Sequence, residues 1–170
     1  MACGGDDEPT KPANKQPHRT VLVYIVADKN GLDRFSYDDI NEMLEGIKSI
    51  DTQVNNLLVY ADSNATPVLF RITKDKKGNV IKEIIREYDE QVSTTPQVMK
   101  EVCNTVFTNY PAQSYGLIYW SHGEGWKPVP LAATRWIGQD IGDDTTDYTN
   151  IDELDRKSTR LNSSHAKSSR

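Results

Sequence analysis

The side chains able to do chemistry in this chain of 170 residues converge on one short stretch, residues 115–126, YGLIYWSHGEGW. An apolar run ends there abruptly in Ser121-His122-Gly123. Histidine is the side chain whose ordinary titration range spans neutrality, so it is the usual proton carrier of an active site. A histidine just past the carboxyl end of a buried parallel strand faces the crevice where open α/β sheets bind ligands. Gly123 and Gly125 behind it let the backbone turn sharply and let a substrate approach closely. His122 therefore reads in two ways, as a catalyst or as a hydrogen-bonded structural residue. The other candidates are sparse. The histidines at 18, 122 and 165 have no metal-ligand spacing. Cys3 and Cys103 lie too far apart in sequence to suggest a disulfide scaffold. Asp143, Asp144 and Asp147 cluster in a loop rich in Gly and Thr. Such a loop reads either as a solvated turn or as a calcium site built from carboxylates and carbonyls. It lacks the ordered pattern of a known calcium loop.

The elements that must position His122 can be read from periodicity. Residues 20–27, TVLVYIVA, are nearly continuous β-branched and aromatic residues and predict a first buried parallel strand. Asp28-Lys29-Asn30-Gly31 ends it in a turn, where Asp28 either caps the turn or faces the cleft. Residues 36–50 predict a helix, with Ser36 as N-cap, Asp39 in the capping-box place and Ile40, Met43, Leu44, Ile47 and Ile50 as its core stripe. Residues 56–61, NLLVYA, predict the second strand, parallel to the first through a right-handed crossover. Residues 67–73 and 80–88 predict a half-exposed edge hairpin with Gly78-Asn79 in its turn. Thr94-Thr95-Pro96 opens a second helix whose apolar face is Val98, Met99, Val102, Cys103, Val106 and Phe107. Cys103 is accordingly expected to be a small core residue and not a nucleophile. The strand that leads to His122 follows, expected to be buried on both faces. Residues 135–140 suggest a short strand, and residues 149–154 the start of a helix with Asn150 as N-cap.

The wording around His122 resembles the histidine motif of the clostripain-like cysteine peptidases, a caspase-related family. His122, Gly123, Gly125 and Trp126 match that motif, Asp28 and Asn30 match the turn after the first strand, and the start of the second helix agrees as well. The resemblance runs from Thr20 to about Leu154. It implies a caspase-like three-layer α/β/α sandwich with a mostly parallel sheet, here truncated. It implies peptide hydrolysis after Arg or Lys by a Cys/His dyad, with His122 as general acid/base and the Gly123 N–H as oxyanion donor. Ser121 and Trp120 are packing or orienting positions in that reading. The nucleophile of the family follows the next strand in an Asp-x-Cys motif, which this chain does not contain. The fragment is therefore expected to be inactive, with Lys127 and Arg135 in the interval where family members cleave themselves. No cofactor is implied. The partners implied are proteins or peptides with basic residues.

The ends carry separate expectations. Residues 1–19 read as a disordered tether rich in Gly, Pro, Asp and Lys. Ala2-Cys3-Gly4-Gly5 with the acids that follow resembles the segment after a lipoprotein signal, where the cysteine carries lipid. That implies the envelope of a Gram-negative bacterium, lipid-anchored or secreted, with membrane contact only through Cys3. The alternative is a free cysteine in a tail. Residues 20–154 read as the amino-terminal part of the peptidase domain. Residues 155–170 carry five basic residues and one acid, and resemble the translation of a sequencing adapter; they read as a non-native tail. The net charge of −5 and mean hydropathy of −0.65 argue against a nucleic-acid partner, which needs a basic face. Two rival readings are a non-enzymatic periplasmic lipoprotein with an α/β binding domain, and a metal-dependent hydrolase using His122. The continuation of the frame past Leu154 separates the first rival from the peptidase. The second lacks any further His or Cys ligand.

Overall fold

The structure is a computed structural model and describes residues 16–63, 65–123, 136–141 and 146–150. Five strands form the main sheet: β1 (Arg19–Val26), β2 (Asn55–Ser63), β3 (Ala65–Lys74), β4 (Val80–Glu87) and β5 (Ser114–Trp120). Helix α1 (Asp33–Gly46) joins β1 to β2, and α2 (Pro96–Asn109) precedes β5. A separate hairpin is made by β6 (Trp136–Ile141) and β7 (Thr146–Asn150). The strand order is β4-β3-β2-β1-β5, with β1 parallel to both β2 and β5, and with β3 and β4 antiparallel.

Alternation along β1 builds both cores. Leu22, Tyr24 and Val26 face the α2 layer and pack with Val102, Cys103 and Val106. Val23, Ile25 and Ala27 face the α1 layer and pack with Ile40 and Ile47. The result is the expected three-layer α/β/α sandwich. A tyrosine ladder crosses the α2 face. Tyr119, Tyr24 and Tyr60 sit side by side in register on β5, β1 and β2, stacked at 5.6 and 4.6 Å between ring centroids.

Several boundaries differ from the sequence reading. Ser36 does not cap α1: it lies within the helix, fully buried, its hydroxyl donating to the Asp33 carbonyl at 2.7 Å. The helix starts earlier because Asn30 Oδ1 takes up the Leu32 N–H at 3.1 Å. Ile50 falls beyond the helical turns and is 42% exposed. The hairpin of β3 and β4 is not uniformly half-exposed. Leu69, Phe70 and Ile72 of β3 are buried between β2 and β4, and of these two hairpin strands β4 is the one at an edge of the described sheet. β5 is not buried on both faces; it is an edge among the described strands, and Ile118 on it is 52% exposed. Thr149 and Asn150 belong to β7 and do not open a helix. The start of α2 agrees with its sequence, with the Thr95 hydroxyl accepting from the Val98 N–H and Pro96 in the first turn.

Candidate functional site

The chain leaves β1 in two directions, to β2 through α1 and, later, to β5 on its other side. Between the carboxyl ends of β1 and β5 the strand order reverses, the position at which open α/β sheets bind their ligands. The turn after β1 and the Ser121-His122-Gly123 segment after β5 meet at that point.

His122 is half-buried, and its Nε2 lies 2.9 Å from the carbonyl oxygen of Asn30. A carbonyl only accepts, so Nε2 carries the proton in this contact and Nδ1 is left to exchange a proton with another group. The main chain of the segment is held from the opposite side by β6. The Gly138 N–H donates to the His122 carbonyl at 2.6 Å. Gly123 forms an antiparallel bridge with Ile137. The hydrogen bond from Gly138 to His122 flanks that pair, so the N–H of Gly123 points away from β6. Gly123 is exposed. Ser121 donates to the Val26 carbonyl at 2.7 Å and accepts from the Gln139 N–H at 3.2 Å, so it orients the segment and is not a nucleophile in contact with the histidine ring. Trp120 is tied to α1, its indole N–H donating to Asp39 Oδ2 at 2.6 Å. Asp39, read in the sequence as a capping acid, holds this indole instead.

Asp28 is buried at the end of β1, beside Lys29, whose ammonium stands 3.9 Å from its carboxylate. It belongs to a buried polar layer that the sequence reading did not assemble. Asp62 at the end of β2 and Asp140 on β6 have no exposed surface, and the Ser93 N–H donates to Asp140 at 2.6 Å. The Ser93 hydroxyl bonds the Tyr60 hydroxyl at 2.7 Å, and the Ser93 carbonyl accepts from the Tyr24 hydroxyl at 2.8 Å. Burial pushes the Asp62 carboxyl up to about 8; nearby Ser93 opposes this in part, and the charges of Asp140, Glu90 and Asp28 add to it. On β7 the Thr149 hydroxyl bonds Tyr119 at 2.8 Å and donates to the Thr94 carbonyl at 2.9 Å. This layer fastens the hairpin to the sheet beneath His122. Its only sequence signal was the recurrence of Tyr followed closely by Asp or Ser at three strand ends.

Cys103 is fully buried in the α2 core, and burial pushes its thiol up to about 12. No grouping of His, Cys, Asp and Glu able to hold a metal occurs among the described residues. Cys3, Lys127, Arg135, Asp143 and Asp144, and the side chain of Asp147, lie outside the described residues.

Solved structures of cysteine proteases are similar to this chain. A cysteine protease of B. fragilis is 48% identical over 68% of this chain and 98% of that one, with a TM-score of 0.62. A secreted C11 cysteine protease from Bacteroides thetaiotaomicron, in complex with an irreversible peptide inhibitor, is 46% identical over 82% of this chain and 38% of that one, with a TM-score of 0.72. An inactive zymogen C11 protease from Parabacteroides distasonis is 33% identical over 67% of this chain and 33% of that one, with a TM-score of 0.61. The chain thus spans little more than a third of the second protein and a third of the last. A comparison with curated proteins returned no match. The model of the clostripain family matches residues 23–163. Element order, site geometry and these likenesses agree, and the chain belongs to the clostripain family of C11 cysteine proteases.

Proposed function

We propose that this chain is the histidine-bearing part of a cysteine endopeptidase that cleaves after Arg or Lys. The carrying observation is the arrangement at the sheet's switch point. His122 is anchored through Nε2 on the Asn30 carbonyl, which leaves Nδ1 and the neighbouring Gly123 N–H to face a reacting carbonyl. In this reading Nδ1 of His122 takes the proton of a cysteine thiol, the thiolate attacks the scissile carbonyl, and the electron pair of the C=O bond moves onto the oxygen, which the Gly123 N–H stabilises. His122 then delivers a proton to the departing amine, and the carbon–nitrogen bond breaks to leave the acyl-enzyme.

Neither cysteine of the chain suits the role of nucleophile. Cys103 is sealed in the core with a raised thiol, and Cys3 belongs to the proposed lipid-bearing tether. The reading therefore assigns the nucleophile to sequence outside these 170 residues, and the chain alone is proposed to be inactive. Processing at Lys127 or Arg135 is proposed as the route to activity; a relative described as an inactive zymogen supports a latent state of this kind. A lipid anchor on Cys3, or secretion, is proposed for its location, and a secreted relative supports an envelope or extracellular setting. Calcium is assigned no step; its proposed place is the loop with Asp143, Asp144 and Asp147, and calorimetric titration tests it.

The experiment is a cleavage assay on the complete gene product, using peptides that differ only at the cleaved residue. Arg and Lys peptides should be cut and a Glu peptide should not, and His122→Ala should lower kcat by at least roughly a hundredfold, the usual weight of a proton-transfer catalyst. Equal cleavage of all peptides refutes the specificity, and an unimpaired His122→Ala refutes the mechanism.

A further inference from the structure

The side chain of Asn30 is the point where three elements meet the candidate catalytic histidine. Its carboxamide makes three hydrogen bonds and uses both of its donors. Nδ2 donates to the Val26 carbonyl at 3.2 Å and to the Gln139 carbonyl at 2.7 Å, and Oδ1 accepts from the Leu32 N–H at 3.1 Å. The end of β1, strand β6 and the start of α1 are thereby joined through one group. The donors sort the amide unambiguously, since a flipped amide would set its oxygen against two carbonyls. The backbone on either side is turned left-handed, with φ of 48° at Lys29 and 83° at Gly31. That pair of turns is strained for Lys29 and free for Gly31, and it aims the Asn30 carbonyl at His122.

We propose that Asn30 is a positioning residue whose side-chain amide holds its own carbonyl against the His122 ring and makes the ring's alignment depend on strand β6. The dependence on β6 is visible in the bonds. Gly138 holds the His122 carbonyl, the Gln139 N–H holds Ser121, and the Gln139 carbonyl holds the Asn30 amide. The segment bearing the histidine is therefore fastened to Gly138 and Gln139 of β6, and the residue whose carbonyl fixes its ring is fastened to Gln139 as well. A displaced Asn30 amide frees the peptide after it to rotate, and His122 loses the acceptor that keeps its proton on Nε2. Asparagine is required by chemistry and not by size: aspartate has the same shape but presents oxygens to the Val26 and Gln139 carbonyls.

The inference deepens the peptidase reading and rests on it for its meaning, yet its test needs no peptidase activity. The chain labelled with 15N in its histidine rings is studied by two-bond nitrogen–proton correlation, with His122→Gln to assign the signals against His18 and His165. The wild-type ring should favour the Nε2–H tautomer. Loss of a hydrogen bond of ordinary net strength should lower the ratio of Nε2–H to Nδ1–H forms about fivefold in Asn30→Ala. Asn30→Asp should show the same loss, because a carboxylate offers no donor to the Val26 and Gln139 carbonyls. Gln139→Ala keeps the main-chain groups and should leave the ratio unchanged. Amide exchange in β1 and β2 checks the fold of each variant. An unchanged tautomer ratio in Asn30→Ala and Asn30→Asp overturns the proposal. So does unfolding of the sheet in both, since Asn30 would then be a folding residue. If the ratio behaves as expected while the complete protein cleaves nothing, the peptidase reading fails and the positioning stands.

Discussion

Asp62 offers a stability test of the buried layer under the site. Its carboxyl has no exposed surface. In the folded chain it keeps its proton up to about pH 8, against 3.8 for an unburied aspartate, because burial disfavours the anion. The folded state therefore binds more protons than the unfolded state between those two values. Stability must fall as pH rises through that window and level off above about 8. One group of this kind contributes a slope of about 1.4 kcal/mol per pH unit. Across the whole window the loss is roughly 6 kcal/mol, a large share of the ~5–15 kcal/mol that holds a domain together. Asp62→Asn has nearly the same shape and cannot ionise. Urea unfolding followed by tryptophan fluorescence at pH 5, 6 and 7 should show wild type losing about 1.4 kcal/mol per unit relative to the variant. Parallel curves for the two proteins would refute the claim that Asp62 is buried as the neutral acid.

Other outcomes follow from the same packing. Cys103 should resist alkylation in the folded chain at pH 8 and react readily in urea, as read by peptide mass mapping; rapid labelling of Cys103 itself in the folded chain would contradict its place in the α2 core. Gly138 has φ of 90°, and a Cβ there would collide with the Tyr119 hydroxyl, so Gly138→Ala should destabilise by roughly 1–3 kcal/mol in urea unfolding and release the hairpin, whereas a neutral effect would refute the close approach. Leu58 is fully buried in the main core, and Leu58→Ala should cost about 2–5 kcal/mol by the same assay; a loss under 1 kcal/mol would be inconsistent with a close-packed sheet centre.

The sheet was legible wherever one physical signal dominated. β1 and β2 are apolar on both faces because helices cover both, and such runs read directly from the sequence. The second helix was legible because Thr95 and Pro96 announce its start and Cys103 falls on its apolar stripe. α1 misled because Ser36 sits three residues into an acidic segment and looks like a cap, while the group that organises the start is the Asn30 side chain across the turn. β5 looked buried on both faces because its composition matches β1, but composition does not say how many neighbours a strand has. The hairpin of β6 and β7 was half seen, since strands of six and five residues in a loop rich in Gly, Thr and Asp carry little periodicity. His122 was legible from its neighbours in sequence. The groups that hold it, Asn30 and Gln139, are 92 and 17 residues away along the chain, and no local pattern links them.

The most direct test of the central claim is covalent trapping. The complete protein, treated with an electrophilic peptide ketone bearing Arg at the position next to the warhead, should gain the peptide's mass on one cysteine outside residues 1–170. The same treatment of His122→Ala should leave that cysteine largely unmodified. Labelling of Cys103, equal labelling with and without His122, or no labelling at all would contradict the assignment of this segment as the histidine half of a cysteine peptidase.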